Sequence, residues 1–139
     1  MRQACRVPKR TILCIDDDNS ILRYERSLLE RSGYIVLTAA SAQQGLALAM
    51  KVQLDAVVLD YHMPEMSGHE VAAAIKGRRP EIRIVMFSAS EIPEETLKLT
   101  DAVVLKTDAI RELLPTVSQL CNRASRPEGS TLTSSSAQN

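Results

Sequence analysis

Three consecutive carboxylates, Asp16, Asp17 and Asp18, follow the apolar run Thr11 to Ile15, and a fourth, Asp60, follows Ala56, Val57, Val58 and Leu59. Two more apolar runs close on polar residues: Ile82 to Phe87 on Ser88, Ala89 and Ser90, and Ala102 to Leu105 on Lys106. Two ionised carboxylates about 4 Å apart repel by roughly 4 kcal/mol at an effective dielectric of about 20, so an acidic cluster calls for a cation or a raised pKa. Oxygen ligands suit a hard divalent ion. Magnesium fits, because it takes one or two carboxylates, keeps several waters and leaves room for phosphate oxygens. The Ser88 hydroxyl and the Lys106 ammonium can both hold phosphoryl oxygens. Brought to one point, this set suits phosphoryl transfer to a carboxylate.

The elements that must bring it together are short and alternate in kind. Thr11 to Ile15 and the run ending in Asp60 read as strands buried on both faces. Tyr34 to Thr38, Ile82 to Phe87 and Ala102 to Leu105 read as three more strands. Between them, Asn19 or Ser20 caps a first helix with Ile21, Leu22, Leu28 and Leu29 on one face and Gly33 at its end. Ser41 and Gln44 form a capping-box pattern before a helix through Leu46 to Met50. A third helix spans Gly68 to Lys76 and is ended by Gly77 and Pro80. Pro93 starts a short fourth helix. The last helix carries Ile110, Leu113, Leu114, Val117, Leu120 and Cys121, and Pro115 requires either a late start near Leu113 or a bent helix from Asp108. Strands joined by helical crossovers form a parallel sheet with helices on both faces, an α/β fold. The C-terminal ends of its strands then gather at one edge, where open α/β sheets bind ligands.

The 139 residues suffice for one domain, and with aromatics at 3 % and no Trp its core is aliphatic. Seventeen basic and seventeen acidic residues cancel, so no polyanionic partner is implied. Cys5, Cys14 and Cys121 lack metal-ligand spacing and fit a reducing compartment. No segment approaches membrane-spanning length and the N-terminus has no apolar signal core, so a cytoplasmic location is expected. Residues 1–8 read as a flexible leader and the Ser- and Thr-rich 124–139 as a disordered tail around one domain at 9–123. Lys76, Arg78, Arg79 and Arg83 read as a solvated rim rather than a nucleic-acid patch.

Ile-Asp-Asp-Asp at 15 to 18, Val-Leu-Asp at 58 to 60 with Met-Pro-Glu-Met-Ser-Gly at 63 to 68, Ser-Ala at 88 and 89, and Lys106 together resemble a two-component response-regulator receiver domain, in order, from about Lys9 to Arg123. The resemblance implies a flavodoxin-like sheet of order 2-1-3-4-5. It implies that Asp60 takes a phosphoryl group from a phosphohistidine donor, on a histidine kinase or a phosphotransfer protein. Asp17 and Asp60 would bind Mg²⁺ directly, Asp16 through water, and the His62 backbone carbonyl would be a further ligand. Ser88, the Ala89 N–H and Lys106 would contact the phosphoryl group. The added charge would bias a two-state surface near the fourth and fifth strands.

Two positions depart from the family pattern. Thr107 stands where proline usually follows the lysine, so a trans bond and a reshaped loop are expected there, since a cis bond before a non-proline costs about 2.5 to 4 kcal/mol. Val103 stands where the fifth strand usually carries Tyr or Phe, so no rotating aromatic reports phosphorylation. The segment from Ser90 to Lys106 is short, which predicts a short or irregular fourth helix. The expected output is contact with a downstream protein, without direct nucleic-acid or membrane binding, and a two-fold dimer through the last three elements is compatible with the family. Two other readings of the same residues stay open. One is a receiver-like interaction module that works without phosphate. The other is a small phosphohydrolase of the haloacid-dehalogenase type, with Asp16 as nucleophile and Asp18 as general acid.

Overall fold

The computed structural model describes residues 9–125; the expected leader at 1–8, with Cys5, lies outside the described residues, and of the expected tail at 124–139 the first two residues continue the last helix while 126–139 lie outside the described residues. Among the described residues, five strands and five α-helices alternate. They are β1 (Thr11–Ile15), α1 (Asn19–Glu30), β2 (Ile35–Ala39), α2 (Ala42–Lys51), β3 (Ala56–Asp60), α3 (Gly68–Arg78), β4 (Arg83–Ser88), α4 (Glu94–Leu97), β5 (Ala102–Leu105) and α5 (Ala109–Ser125). All strand pairs are parallel and the order is β2-β1-β3-β4-β5, the order the resemblance implied. The chain passes from β1 out to β2 on one side and then crosses back past β1 to β3 on the other, so the C-terminal ends of β1 and β3 flank the point where the winding reverses.

The sheet separates two aliphatic cores by simple alternation of side chains. Ile12, Cys14, Val58, Val85 and Phe87 pack with Leu22 and Leu29 of α1 and with Leu113, Val117 and Leu120 of α5. Their neighbours Leu13, Ile15, Val57, Leu59, Ile84 and Met86 pack on the other face with Ala49 of α2 and Val71 and Ile75 of α3. Every residue of β3 is buried. Burying a Val, Leu or Ile fully is worth about 1.5–3 kcal/mol, so both faces contribute strongly to fixing the central strands.

Several local features differ from the sequence-level expectations. Asp18, not Asn19 or Ser20, is the N-cap of α1, and its side chain accepts from the Ser20 N–H. Ser41 caps α2, but Gln44 Oε1 reaches past it to the Ala40 N–H at 3.0 Å, so the box closes one residue early. The reciprocal capping box belongs instead to Ser67 and Glu70 at the start of α3. Helix α3 runs through Gly77 to Arg78, because Val71, Ala72 and Ile75 hold its inner face in the core. The last helix takes the earlier start. A 3₁₀ turn at Lys106–Asp108 runs directly into it, and Pro115 lies inside it. Helix α4 has four residues, as its short segment predicted. Gly33 adopts φ +97° just beyond α1, a left-handed conformation that favours glycine.

The basic rim is less solvated than expected. Lys76 Nζ lies 3.0 Å from Asp101 Oδ2 and 2.8 Å from the Ile82 carbonyl, and Arg83 reaches Asp101 at 3.5 Å. Asp101 also accepts the Ile84 N–H at 2.8 Å, so it ties the entries of β4 and β5 to α3. Among the described residues, no helix is long and apolar enough to cross a membrane.

Candidate functional site

The register of the sheet sets the carboxylates side by side. Ile15 pairs with Leu59, so Asp16 leaves β1 abreast of Asp60 at the end of β3. Oxygens of Asp16, Asp17 and Asp60 lie within 4.8 Å of one another. Lys106, arriving from the end of β5, places Nζ 3.1 Å from Asp16 Oδ2 and 3.1 Å from Asp60 Oδ1. The same ammonium lies 5.7 Å from the centre of the Phe87 ring, within cation–π range. Asp16 and Asp60 are nearly fully buried, whereas Asp17 is exposed. One side of the cluster therefore meets solvent. A cleft of about 190 Å³ opens there, between Asp17, Ala40, Ser41, Met63, Pro64 and Glu65.

The electrostatics follow from this crowding. Burial, and then the charge of Asp16, push the Asp60 carboxyl up to about 6, against the lowering pull of Lys106 and the His62 N–H. Burial works against the charge on Lys106, yet Asp16 and Asp60 outweigh it and hold its pKa above the usual lysine value. One ammonium faces two buried carboxylates with a third beside them. The donor set is all oxygen, is anionic and has an open side, which fits a hard divalent cation such as Mg²⁺.

Backbone packing fixes Asp60. Gly68 begins α3 against the end of β3, and its N–H donates to the Tyr61 carbonyl at 2.7 Å. A Cβ there would stand 2.6 Å from the Asp60 carbonyl oxygen and 2.7 Å from Tyr61 Cα, so only glycine allows this approach. His62 is exposed, with its ring edge-on to Tyr61 at 4.8 Å, and its contribution to the site is through its backbone.

Of the predicted phosphoryl contacts, Lys106 is already engaged and Ser88 is not. Ser88 is fully buried, and its hydroxyl donates to the Ser90 carbonyl at 2.7 Å while accepting the Ser90 N–H at 3.2 Å. Ala89 is exposed at the same edge. Asp18, the proposed general acid of the hydrolase reading, caps α1. Its Oδ1 accepts from the Ser20 hydroxyl at 2.6 Å and the Ser20 N–H at 2.9 Å, and these bonds lower its pKa. A carboxylate held ionised in this way is a poor proton donor, and Asp16 has both oxygens engaged, Oδ1 accepting the Asp18 N–H at 2.9 Å and Oδ2 paired with Lys106 at 3.1 Å. The geometry disfavours the hydrolase.

Two residues near the site escaped the sequence reading. Glu25 of α1 is buried with Oε1 unpaired, its carboxyl against the Cys14 thiol. Burial first, then Asp16, raise its pKa well above the usual range. Its place between Leu22 and Leu29 at helical spacing was the available signal. His69, on α3, lies 2.8 Å through Nδ1 from Thr96 Oγ1 on α4.

Known proteins bear directly on this arrangement. The family model described as response regulator receiver domain matches residues 12–113. The transcriptional regulatory protein PrrA of Mycobacterium bovis is 32 % identical over 129 residues, covering 90 % of this chain and 54 % of that protein, so the chain spans about half the length of this relative. A CheY-like receiver domain protein from Methanospirillum hungatei superposes with a TM-score of 0.78 at 27 % identity, covering 84 % of this chain and 97 % of that one. The response regulator TrrA of Thermotoga maritima, solved with Mg²⁺ and BeF, gives 0.76 at 28 % identity over 80 % of this chain and 98 % of that one. TrrA has also been solved in complex with the histidine kinase ThkA, with a TM-score of 0.74 at 28 % identity over 80 % of this chain and 97 % of that one.

Proposed function

This chain belongs to the response regulator receiver domain family, and from that premise we propose that it accepts a phosphoryl group on Asp60 from a phosphohistidine of a histidine kinase or phosphotransfer protein. The observation that carries the assignment is the placement of Lys106 Nζ at 3.1 Å from both Asp16 and Asp60, with Asp17 completing an oxygen cluster open on one side. In the transfer, a carboxylate oxygen of Asp60 forms a bond to phosphorus as the phosphorus–nitrogen bond of the donor breaks. The bonding pair stays on the ring nitrogen, so a donor histidine protonated on its other ring nitrogen leaves as neutral imidazole, and Asp60 becomes an acyl phosphate.

Asp17 and Asp60 would hold Mg²⁺ directly, Asp16 would hold it through water, and the His62 carbonyl would complete the protein ligands. The ion, when bound, neutralises charge on the transferring oxygens. Lys106 then exchanges part of its contact with Asp60 for a phosphoryl oxygen. Ser88 gives up its bond to Ser90 and donates to a second oxygen, with the Ala89 N–H donating as well. The cleft beside Asp17 admits the donor.

Receiver domains are signalling domains, and the output we propose for this one is contact with a downstream protein. Val103 is 36 % exposed on β5, so the output face we propose there works without a turning aromatic. Buried free thiols at Cys14 and Cys121 agree with a cytoplasmic setting.

The test is the intact mass after incubation with acetyl phosphate and Mg²⁺, for the wild type and Asp60→Asn. A single phosphoryl adduct that requires metal and is absent from Asp60→Asn supports the assignment. An adduct that survives the substitution overturns it. No adduct on a folded, Mg²⁺-binding protein favours the phosphate-independent module.

A further inference from the structure

Two loops frame the phosphoacceptor, and a side-chain hydrogen bond joins the helices that follow them. The loop at 61–67 leaves β3 and is pinned at its far end, where Gly68 packs on the Asp60 backbone and the Ser67–Glu70 capping box closes the start of α3. His69 is the next residue after Gly68, so its position is referred rigidly to Asp60. The loop at 89–93 leaves β4 beyond Ser88 and leads into α4, a four-residue helix whose N-cap, Pro93, offers no side-chain hydrogen bond. Thr96 of α4 is 1 % exposed, and its hydroxyl meets His69 Nδ1 at 2.8 Å. The bond forms in either tautomer, because the hydroxyl donates to a bare Nδ1 or accepts from Nδ1–H.

We propose that the His69–Thr96 hydrogen bond is a latch that holds the loop at 89–93, and through it Ser88 at the end of β4, in the resting arrangement, which makes His69 and Thr96 positioning residues for phosphoryl capture. The inference rests on Asp60 being the phosphoacceptor. At rest the Ser88 hydroxyl is closed onto the Ser90 carbonyl at 2.7 Å. To reach a phosphoryl oxygen it must leave that bond, and residues 89–93 must shift with it. Their far end is tied to α3 through the Thr96 hydroxyl together with the burial of Ile92 among Val71, Ala72 and Ile75, since α4, four residues long and without a side-chain cap, adds little hold of its own. The latch therefore opposes the arrangement that embraces the phosphoryl group, and its release favours that arrangement.

The test is the affinity of the full chain for Mg²⁺ with beryllofluoride, a phosphoryl mimic, followed by tyrosine fluorescence or NMR. Thr96→Val keeps the buried volume and removes the hydroxyl; Thr96→Ser keeps the hydroxyl. Loss of one net hydrogen bond that favours the resting state tightens binding by about five-fold in Thr96→Val. Thr96→Ser should bind as the wild type does, and adding His69→Phe to Thr96→Val should bring no further tightening. A purely structural contact would lower the melting temperature of Thr96→Val and leave the affinity unchanged, and that result overturns the latch. Weaker binding in Thr96→Val overturns it as well. Failure of the wild type itself to bind the mimic removes the phosphoacceptor reading, and the latch with it.

Discussion

Lys106 and Asp60 meet at 3.1 Å although they lie at the ends of strands that are not neighbours in the sheet, with β4 between them. The lysine spans that strand by lying over the Phe87 ring. Replacing it with methionine leaves Asp16 and Asp60 facing each other without a cation. Breaking a buried pair costs about 3–5 kcal/mol, and here ~2–3 kcal/mol is expected because Lys106 keeps some contact with water and Asp60 can take up a proton. Denaturant unfolding of Lys106→Met should show that loss in metal-free buffer and a smaller one at saturating Mg²⁺.

Protonation of Asp60 gives the metal-free protein a definite pH dependence. The carboxyl is raised from 3.8 to about 6 in the folded state. Between those values the folded chain holds a proton that the unfolded chain has released. Stability from this group is thus fully present below about pH 4 and is lost as pH rises through about 6, by roughly 3 kcal/mol in all. Mg²⁺ needs the ionised form, so its affinity should fall about ten-fold per pH unit below 6. Metal titrations at several pH values check this, and in Asp60→Asn both dependences should flatten.

Glu25 is a cost built into the fold. Its raised pKa means that at pH 7 folding pays either for a buried charge or for proton uptake that the unfolded chain does not need. Glu25→Leu extends the apolar stripe of Leu22 and Leu29 and should raise stability at pH 7 by about 1–2 kcal/mol. Thermal melts at pH 7 and pH 4 separate the causes, because the gain should shrink at the lower pH, where both states hold the proton.

Gly68→Ala should damage the site more than its size suggests. The new methyl meets backbone at 2.6 and 2.7 Å, not a side chain that can turn away. Overpacking of this kind costs about 1–3 kcal/mol. The Asp60 loop must move, so phosphorylation by acetyl phosphate should slow by at least about ten-fold, since a 1 Å misplacement can cost a hundred-fold. A normal rate in the variant would show that the close approach does not position the nucleophile.

The sheet and most of the site could be read from the chain because each central strand is a run of β-branched and aliphatic residues that stops at a chemically distinct residue. Asp60, Ser88 and Lys106 mark their own positions. The three acids at 16 to 18 do not. Sequence alone gives no reason to choose Asp18 as the cap and Asp16 as the buried partner of Lys106, since that choice is made by the register of β1 on β3. Burial of Glu25 depends on which way α1 faces the sheet, and one acid among leucines does not announce it. The ties from Asp101 to Lys76 and Arg83 join residues 25 and 18 positions apart, beyond any local pattern. Gly77 looked like a helix end because glycine propensity is local, whereas the packing of Ile75 that overrides it is not.

The 3₁₀ turn at Lys106–Asp108 leaves no spare chain between the lysine and α5. On the other flank of the pocket, residues 89–93 separate Ser88 from α4. The two sides therefore differ in compliance. A displacement of Ser88 reaches α4 only through the five residues 89–93, whereas a displacement of the backbone at Lys106 meets the 17-residue last helix directly.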